Sequence, residues 1–182
     1  TNTLITGCAT TTIPEGVTYI GIEAFYQCSS LTSITIPEGV TYIESKAFYN
    51  CRSLKTVINY SDLEIQKLKS SYGYVAYYAD RVINVDKFIN DFAFKTKDGV
   101  HYLTAYIGDD TELTLPNDFE GENYQIGDYA FYKCSSLTSI TLPKDVTSIG
   151  DYAFYCCSSL TSITLPEGVT SIGKEAFDGC RI

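Results

Sequence analysis

Hydrophobic and polar positions repeat along this chain with a fixed period. An Ala-Phe pair occurs five times, and within each half of the chain successive pairs are 23 residues apart. The pairs are Ala24-Phe25, Ala47-Phe48, Ala130-Phe131, Ala153-Phe154 and Ala176-Phe177. A period of roughly 20 to 29 residues is typical of a solenoid in which each coil contributes one β-strand and one return segment. The pattern therefore predicts a repeat solenoid.

The stretch from Leu160 to Pro166 indicates how one coil is built. Leu160, Ile163 and Leu165 are expected to point into the core. Ser162 and Thr164 are expected to point outward, because side chains alternate along a strand. Pro166 should end the strand, since proline has no N–H with which to continue a hydrogen-bonded ladder. Equivalent strands of successive coils should pair in parallel. We expect a leucine-rich-repeat, right-handed superhelix with a parallel β-sheet on one face.

The period is interrupted in the middle of the chain. Ala47 and Ala130 are 83 residues apart, which is three periods plus 14 residues, so three degenerate coils would not keep the register. The predicted regions are a first repeat array over residues 1–57, a non-repeat α+β island over 58–112 and a second array over 113–182. The last coil stops at Ile182 before its strand, so we expect that the native chain continues or that another chain covers this end.

Two local signals describe the predicted island. Apolar residues at three- and four-residue spacing over Tyr74–Ile83 predict a short amphipathic helix. Asp98-Gly99 lies between two segments of alternating apolar residues, which is typical of a β-hairpin. A second turn at residues 108–110 extends the hairpin to a β-meander. The island is thus expected to combine a helix with a small antiparallel sheet.

Five of the seven cysteines recur four residues after the alanine of an Ala-Phe pair: Cys28, Cys51, Cys134, Cys157 and Cys180. Side chains stacked at the strand spacing of about 4.8 Å do not fit the Cβ separation of about 3.8 Å that a disulfide prefers. We therefore predict buried free thiols in this column. Cys156 lies in an outward-facing position and is expected to be an exposed thiol.

The acidic composition limits the possible partners. The chain carries 22 Asp and Glu residues against 13 Lys and Arg residues, a net charge of −9, with no cluster of basic residues. Nucleic acid is an unsuitable partner, because phosphate binding depends on clustered Lys and Arg. The sequence has no apolar run of about 18 residues and therefore predicts no transmembrane segment. We expect any secretion signal or anchor to lie outside these 182 residues.

Residues for catalysis or metal binding are sparse. His101 is the one histidine and lies in the predicted hairpin, and the sequence offers no Ser-His-Asp set around it. Asp109, Asp110 and Glu112 supply carboxylates but lack the spacing of a calcium-binding loop. We expect no enzyme, no cofactor and no metal site. A hydrolase centred on His101 and Asp109 remains a remote alternative.

Two sets of outward-facing side chains remain as candidate binding surfaces. The hydroxyl ladder, on the outer and concave face of the sheet, comprises Ser33, Thr35, Ser139, Thr141, Ser162 and Thr164. The tyrosine column follows the phenylalanines and comprises Tyr26, Tyr49, Tyr132 and Tyr155. Strand propensity alone would explain the first set, and packing between coils would explain the second. Either set would also suit a partner, because solenoids bind through extended surfaces and tyrosine is enriched at interfaces.

The repeat resembles that of a known family. The pattern Ile-Gly-x-x-Ala-Phe-x-x-Cys-x-x-Leu-x-Ser-Ile-x-Leu-Pro, as seen in Ile149–Pro166, is similar to the BspA-type leucine-rich repeat of bacterial surface antigens. The resemblance covers about residues 1–57 and 113–182, and Tyr74–Tyr78 and Tyr106–Asp110 resemble a segment found between such repeats. It implies an extracellular or cell-surface protein of a host-associated bacterium, with a role in adhesion and no catalytic motif.

The expected function follows from the architecture and the resemblance together. We expect a non-catalytic, extracellular protein-binding module whose partner is a host matrix protein or another cell-surface protein. The alternative is a carbohydrate-binding surface module that uses the hydroxyl ladder or the tyrosine column.

Overall fold

The computed structural model describes residues 12–66 and 70–182, together with the backbone of Thr3–Leu4. The rest of residues 1–11 in the predicted first array, and residues 67–69, lie outside the described residues. The chain divides into two compact units, Thr1–Val85 and Asp86–Ile182. Both contain short strands that pair in parallel with the equivalent strands of neighbouring coils, which confirms the predicted solenoid. The sequence boundaries at residues 57 and 112 stay a prediction.

The first unit contains two three-stranded parallel sheets. One is formed by β1 (Thr3–Leu4), β2 (Tyr19–Ile20) and β4 (Tyr42–Ile43). The other is formed by β3 (Ser33–Ile36), β5 (Thr56–Asn59) and β6 (Arg81–Asn84). Ile34 pairs with Val57, which pairs with Val82, so equivalent apolar residues stack between coils. The repeat thus becomes a column of buried side chains.

The second unit contains nine strands in two sheets. They are β7 (Lys87–Ile89), β8 (Phe92–Lys97), β9 (Val100–Tyr106), β10 (Glu112–Thr114), β11 (Tyr124–Ile126), β12 (Ser139–Thr141), β13 (Ser148–Ile149), β14 (Ser162–Thr164) and β15 (Ser171–Ile172). A parallel sheet has the order β10-β12-β14, and a six-stranded sheet has the order β15-β13-β11-β9-β8-β7. Only β7, β8 and β9 of the described strands pair antiparallel. No helix among the described residues has the length and hydropathy needed to cross a membrane.

The helix predicted over Tyr74–Ile83 is wrong. The segment begins at the last residue of a single 3₁₀ turn, Tyr72–Tyr74. It ends within β6, which pairs in parallel with β5. The N–H of Phe48 donates to the carbonyl of Gly73 at 2.7 Å, just as the N–H of Phe25 donates to the carbonyl of Ala47 at 2.7 Å. Gly73 therefore takes the alanine position of a further, degenerate coil.

Packing explains why the helical pattern was misleading. Val75, Ala76 and Ala79 are buried in the core of the first unit, so their three- and four-residue spacing reflects the inward positions of a coil. A Cβ on Gly73 would lie 2.8 Å from the Cβ of Ala47, which requires glycine at this contact between coils. The described residues contain no α-helix, and the predicted α+β island is not supported.

The predicted hairpin at Asp98-Gly99 is confirmed, but it belongs to the solenoid sheet. Strands β8 and β9 pair antiparallel around this turn, and both turn residues have positive φ, 51° for Asp98 and 77° for Gly99. Strand β9 then pairs in parallel with β11, with Leu103 opposite Ile126. Because β9 also pairs with the parallel strands of the coils, the hairpin extends the sheet. The prediction that a turn at residues 108–110 extends the hairpin is wrong, since β10 pairs in parallel with β12 and the third antiparallel strand is β7.

Stacked phenylalanines fill the centre of each unit. In the second unit the ring of Phe154 lies 4.8 Å from that of Phe131 and 5.1 Å from that of Phe177, with interplanar angles of 3° and 5°. In the first unit the rings of Phe25 and Phe48 are 4.6 Å apart. Each coil that carries an Ala-Phe pair thus contributes one ring to a stack, which explains why the pair repeats.

The cysteine column forms hydrogen bonds between coils. The thiol of Cys157 donates to the carbonyl of Phe131 at 3.0 Å, and that of Cys180 donates to the carbonyl of Phe154 at 3.1 Å. The described cysteines form no disulfide with one another, and Cys28, Cys51 and Cys157 are buried as predicted. Cys134 and Cys180 are half-buried, so the predicted burial holds for only part of the column, and Cys156 is half-buried and not the exposed thiol that was expected. Burial raises the pKa of the Cys157 thiol, which keeps it protonated and able to donate. Cysteine recurs here because it is small and carries a donor.

Candidate functional site

The hydroxyl ladder of the second unit lies on the sheet formed by β10, β12 and β14. Ser139 pairs with Ser162, and Thr141 pairs with Thr164. Ser139 is half-buried and the other three are exposed, while Ile140 between them is buried. Two rows of hydroxyl groups therefore face solvent from adjacent coils.

In the first unit the corresponding surface is less regular. Ser33 and Thr35 on β3 are exposed, and their neighbours on β5 are Thr56 and Ile58. Ile58 on β5 therefore stands opposite Thr35 on β3, so the row of hydroxyl groups is interrupted at the next coil. The structure places all six predicted residues on strands at solvent-facing positions, in two separate sets.

Four tyrosines form a regular array on the return segments of the second unit. We call Tyr129, Tyr132, Tyr152 and Tyr155 the tyrosine lattice. Tyr132 stacks on Tyr155 at 5.6 Å, and Tyr129 stacks on Tyr152 at 5.2 Å. Edge contacts join the two stacks, at 5.5 Å between Tyr129 and Tyr132 and at 5.7 Å between Tyr152 and Tyr155. Tyr132 and Tyr155, which the sequence predicted as a candidate surface, therefore lie beside Tyr129 and Tyr152, which it did not.

The backbone of the return segment explains this arrangement. Tyr129 and Tyr152 have φ values of 59° and 56°, in the left-handed region. The turn places residues three apart on one side, while the alanine and phenylalanine between them point into the core. The 23-residue spacing of Tyr129 and Tyr152 was a signal in the sequence for this second stack. Glu23 and Lys46 take the same position in the first unit, so the lattice is absent there.

The tyrosines of the first unit form a chain of rings. Tyr26 stacks on Tyr49 at 5.8 Å, and Tyr49 makes an edge contact with Tyr74 at 5.2 Å. The chain continues through Tyr77 to Tyr78. Tyr26 and Tyr49 are 40% and 38% exposed, which makes them the most accessible of the four predicted tyrosines. The sequence prediction missed the last three rings because it assigned them to a helix.

The two units differ in charge. Of the 22 acidic and 13 basic residues in the chain, 15 acidic and 7 basic residues lie in Asp86–Ile182, which gives this unit −8 of the net −9. The first unit is therefore nearly neutral, at −1. The lattice columns also end in carboxylates, because Glu175 and Asp178 lie one period after Tyr152 and Tyr155. The tyrosine lattice thus belongs to the acidic unit.

Lysines contact the lattice. The ammonium of Lys174 lies 5.7 Å from the ring centroid of Tyr152 and 3.5 Å from a carboxylate oxygen of Glu175. Contact with the Tyr152 hydroxyl, followed by the charge of Glu175, raises the pKa of Lys174 and keeps the ammonium charged. The ammonium of Lys133 lies 5.2 Å from the ring centroid of Tyr132. Both distances are within the range of cation–π attraction.

His101, considered for catalysis, and Asp110, considered as a metal ligand, make contacts within the second unit. His101 Nδ1 lies 2.9 Å from Thr96 Oγ1, and its ring lies 5.2 Å from that of Phe119. The carboxylate of Asp110 accepts a hydrogen bond from the hydroxyl of Tyr106 at 2.6 Å, and the N–H of Asp110 donates back to the same hydroxyl at 3.0 Å. Within residues 12–66 and 70–182 there is no group of three potential metal ligands.

Raising the pH is expected to weaken the Tyr106–Asp110 contact. Burial, followed by the hydrogen bond to Asp110, raises the pKa of Tyr106 from 10.0 to about 12. The folded state therefore holds the phenolic proton more tightly than the unfolded state, so this contribution to stability is complete below pH 10 and lost as the pH rises toward 12. Urea unfolding between about pH 8 and pH 12 should give a shallower decline for Tyr106→Phe than for the wild type. Equal declines would contradict the prediction.

Comparisons with known proteins agree with this architecture. A family model described as BspA type leucine rich repeat region matches six copies over residues 6–104 and 111–182. No curated protein matches the chain.

Solved structures provide further comparisons. A leucine rich cell surface protein from Faecalibacterium prausnitzii A2-165 is 22% identical with a TM-score of 0.51, over 92% of this chain and 56% of that protein. The pneumococcal vaccine antigen PcpA is 21% identical with a TM-score of 0.49, over 90% of this chain and 52% of PcpA. A leucine-rich repeat protein from Eubacterium ventriosum is 27% identical with a TM-score of 0.33, over 94% of this chain and 36% of that protein. The chain thus spans about half or less of their lengths, and the first comparison supports the fold.

Proposed function

The chain belongs to the BspA-type leucine-rich repeat family, and from this membership we propose that it is a non-catalytic module that binds other proteins outside the bacterial cell or at its surface. Its partners would be host matrix proteins or proteins on other cells, and its role would be adhesion. The observation that carries the proposal is the set of partly exposed, ordered tyrosine rings in both units. Tyrosine supplies large contact area and a hydroxyl, and it is enriched in protein interfaces and their hot spots.

The repeat scaffold supports this use of the tyrosines. A buried phenylalanine precedes each tyrosine of the tyrosine column, so a partner would meet aromatic groups whose order is already set by the core. A preorganised surface loses less conformational entropy on binding than a flexible one. Solenoids in general present extended surfaces to their partners.

A binding panel tests the proposal. The purified protein would be titrated onto immobilised extracellular-matrix proteins and onto whole bacterial and host cells. We expect saturable binding to at least one target, with a loss on Tyr26→Ala/Tyr49→Ala or Tyr132→Ala/Tyr155→Ala. The corresponding tyrosine-to-phenylalanine pairs are the matched controls, because they retain the rings. A folded protein that binds no target in the panel would contradict the proposal.

A second candidate is carbohydrate binding, favoured by the hydroxyl ladder. Ser162 and Thr164 are exposed on β14 beside the paired residues of β12, which places donors and acceptors in two rows. A glycan array separates the two candidates. Glycan binding that is lost in Ser162→Ala/Thr164→Ala and kept in the tyrosine variants would favour this alternative.

A further inference from the structure

We propose that the tyrosine lattice of the second unit binds a segment rich in arginine or lysine in its protein partner. This inference rests on the proposed protein-binding function and adds the chemistry of the partner. It is carried by the combination of aromatic faces, carboxylates at the ends of the lattice columns and the concentration of negative charge in one unit.

Charge complementarity selects a cationic partner. The second unit carries −8 of the net charge of −9, from 15 acidic and 7 basic residues. A surface dominated by one sign of charge attracts the opposite sign over a distance and accelerates encounter. It also disfavours acidic partners, because juxtaposed like charges are costly at an interface. The aromatic surface therefore lies in the unit that favours basic segments.

Lys174 shows how a cation is held there. Its ammonium contacts the ring of Tyr152 and the carboxylate of Glu175 together, at 5.7 Å and 3.5 Å. This pairing of an aromatic face with a carboxylate is the arrangement that a lysine or arginine of a partner would use. Because Lys174 is exposed and its ion pair is on the surface, the contact is weak enough to be displaced.

The neighbouring stack offers a second position of the same kind. Tyr155 is followed one period later by Asp178, and this carboxylate contributes to raising the pKa of Tyr155, after the larger effect of Cys156. A guanidinium is planar, so it can lie against a tyrosine ring while it donates to a carboxylate. Tyr129 is 41% exposed and extends the aromatic surface beside these positions. The lattice can thus accept more than one cationic side chain.

The first unit provides the matched comparison. Tyr26 and Tyr49 are stacked like the lattice tyrosines and are at least as accessible as most of them, but their unit is nearly neutral. In the position of Tyr129 and Tyr152 this unit has Glu23 and Lys46, so no tyrosine stack forms beside Tyr26 and Tyr49 at that position. The other tyrosine stack of the first unit, Tyr19 on Tyr42 at 5.5 Å, lies on strands β2 and β4. We therefore expect a basic segment to bind through the second unit and not through the first.

The experiment uses a fluorescent peptide in which arginine alternates with glycine, and a control peptide in which citrulline replaces each arginine. Citrulline keeps the length and the planar end group of arginine, but a carbonyl oxygen replaces one of its two terminal nitrogens, so it lacks the charge. Anisotropy titrations should show saturable binding of the arginine peptide and no measurable binding of the citrulline peptide. Binding should weaken as NaCl is raised from about 50 mM to about 500 mM.

Variants test the lattice itself. Tyr155→Ala is expected to weaken binding about three- to fivefold, and Tyr155→Phe should retain it, since the ring face is kept. Lys174→Ala should strengthen binding about twofold, because it removes a competing and repelling cation. Tyr49→Ala should change nothing. Thermal melting of each variant confirms that it is folded.

Several outcomes would overturn the inference. They are equal binding of the citrulline peptide, absence of arginine-peptide binding, weaker binding of Lys174→Ala, and an affinity that Tyr155→Ala does not change. The last result would assign the binding to overall acidity and not to the lattice. If Tyr155→Ala and Lys174→Ala leave matrix-protein binding intact, the inference fails while the proposed function stands.

Discussion

Replacing Phe154 by alanine is expected to lower the free energy of unfolding by about 3–5 kcal/mol. The side chain is fully buried and stacks on both sides, against Phe131 at 4.8 Å and Phe177 at 5.1 Å. Truncation would remove buried apolar surface and leave a cavity that the rigid coils on either side cannot close. The measurement is equilibrium urea unfolding followed by circular dichroism.

The matched control for this substitution is Tyr155→Phe in the adjacent position. Because Tyr155 is only half-buried and the substitution keeps the ring, its expected effect is within about 0.5 kcal/mol. The net stability of a domain is about 5–15 kcal/mol, so Phe154→Ala can remove a large part of it. Phe154→Leu retains more volume and should have an intermediate effect. If Phe154→Ala had the same urea midpoint as the wild type, the phenylalanine stack would not contribute to stability as proposed.

Asn59→Ala is expected to be the second most destabilising change, at about 2–4 kcal/mol. Asn59 is fully buried at the end of β5, and its amide donates to the carbonyl of Leu63 and to the side chain of Asn84, each at 2.8 Å. Its oxygen accepts from the N–H and the hydroxyl of Ser61, at 3.1 Å and 2.6 Å. Removing the amide leaves these buried and part-buried polar groups without their partner.

Two further variants separate the hydrogen bonds from the loss of volume. Asn59→Asp keeps the acceptor for Ser61 and loses both donations, so it should be destabilised despite its similar size. Asn123 is exposed, and Asn123→Ala should change stability by less than about 0.5 kcal/mol. If Asn59→Asp unfolds in urea with the same free energy of unfolding as the wild type, the donated hydrogen bonds contribute little to stability.

The candidate surfaces were only partly predictable. Strand alternation correctly predicted that Ser162 and Thr164 face solvent, because the direction of a side chain in a strand follows from its position. The prediction that Leu165 points inward is wrong, since β14 ends at Thr164 and Leu165 is 38% exposed. The same rule did not reveal the stacking of Tyr129 on Tyr152. That contact requires tyrosine at the left-handed position that precedes each alanine. In the first unit Glu23 and Lys46 occupy this position, so the left-handed turn does not itself specify a tyrosine.

The tertiary structure decided the region between the arrays. Over Tyr74–Ile83 the apolar spacing fits an amphipathic helix and an irregular coil equally well, because both bury residues three and four apart. Only the pairing of β6 with β5, and the bond from Phe48 to Gly73, distinguish them. The paired residues of β5 and β6 are 25 apart instead of 23, and the bond from Phe48 to Gly73 spans 25 residues instead of the 22 between Phe25 and Ala47.

The sequence by itself determined the solenoid, its stacked phenylalanines, its column of cysteine thiols and the outward direction of the hydroxyl ladder. It could do so because each of these features recurs at the spacing of one period, so the repeat itself specifies it. The degenerate coil around Gly73, the buried network of Asn59 and the edge contacts that join the two tyrosine stacks were decided by the tertiary structure. The first two join residues that are not one period apart. The edge contacts join tyrosines of the same coil, whose ring positions are set by the left-handed turn, and no period in the sequence records them.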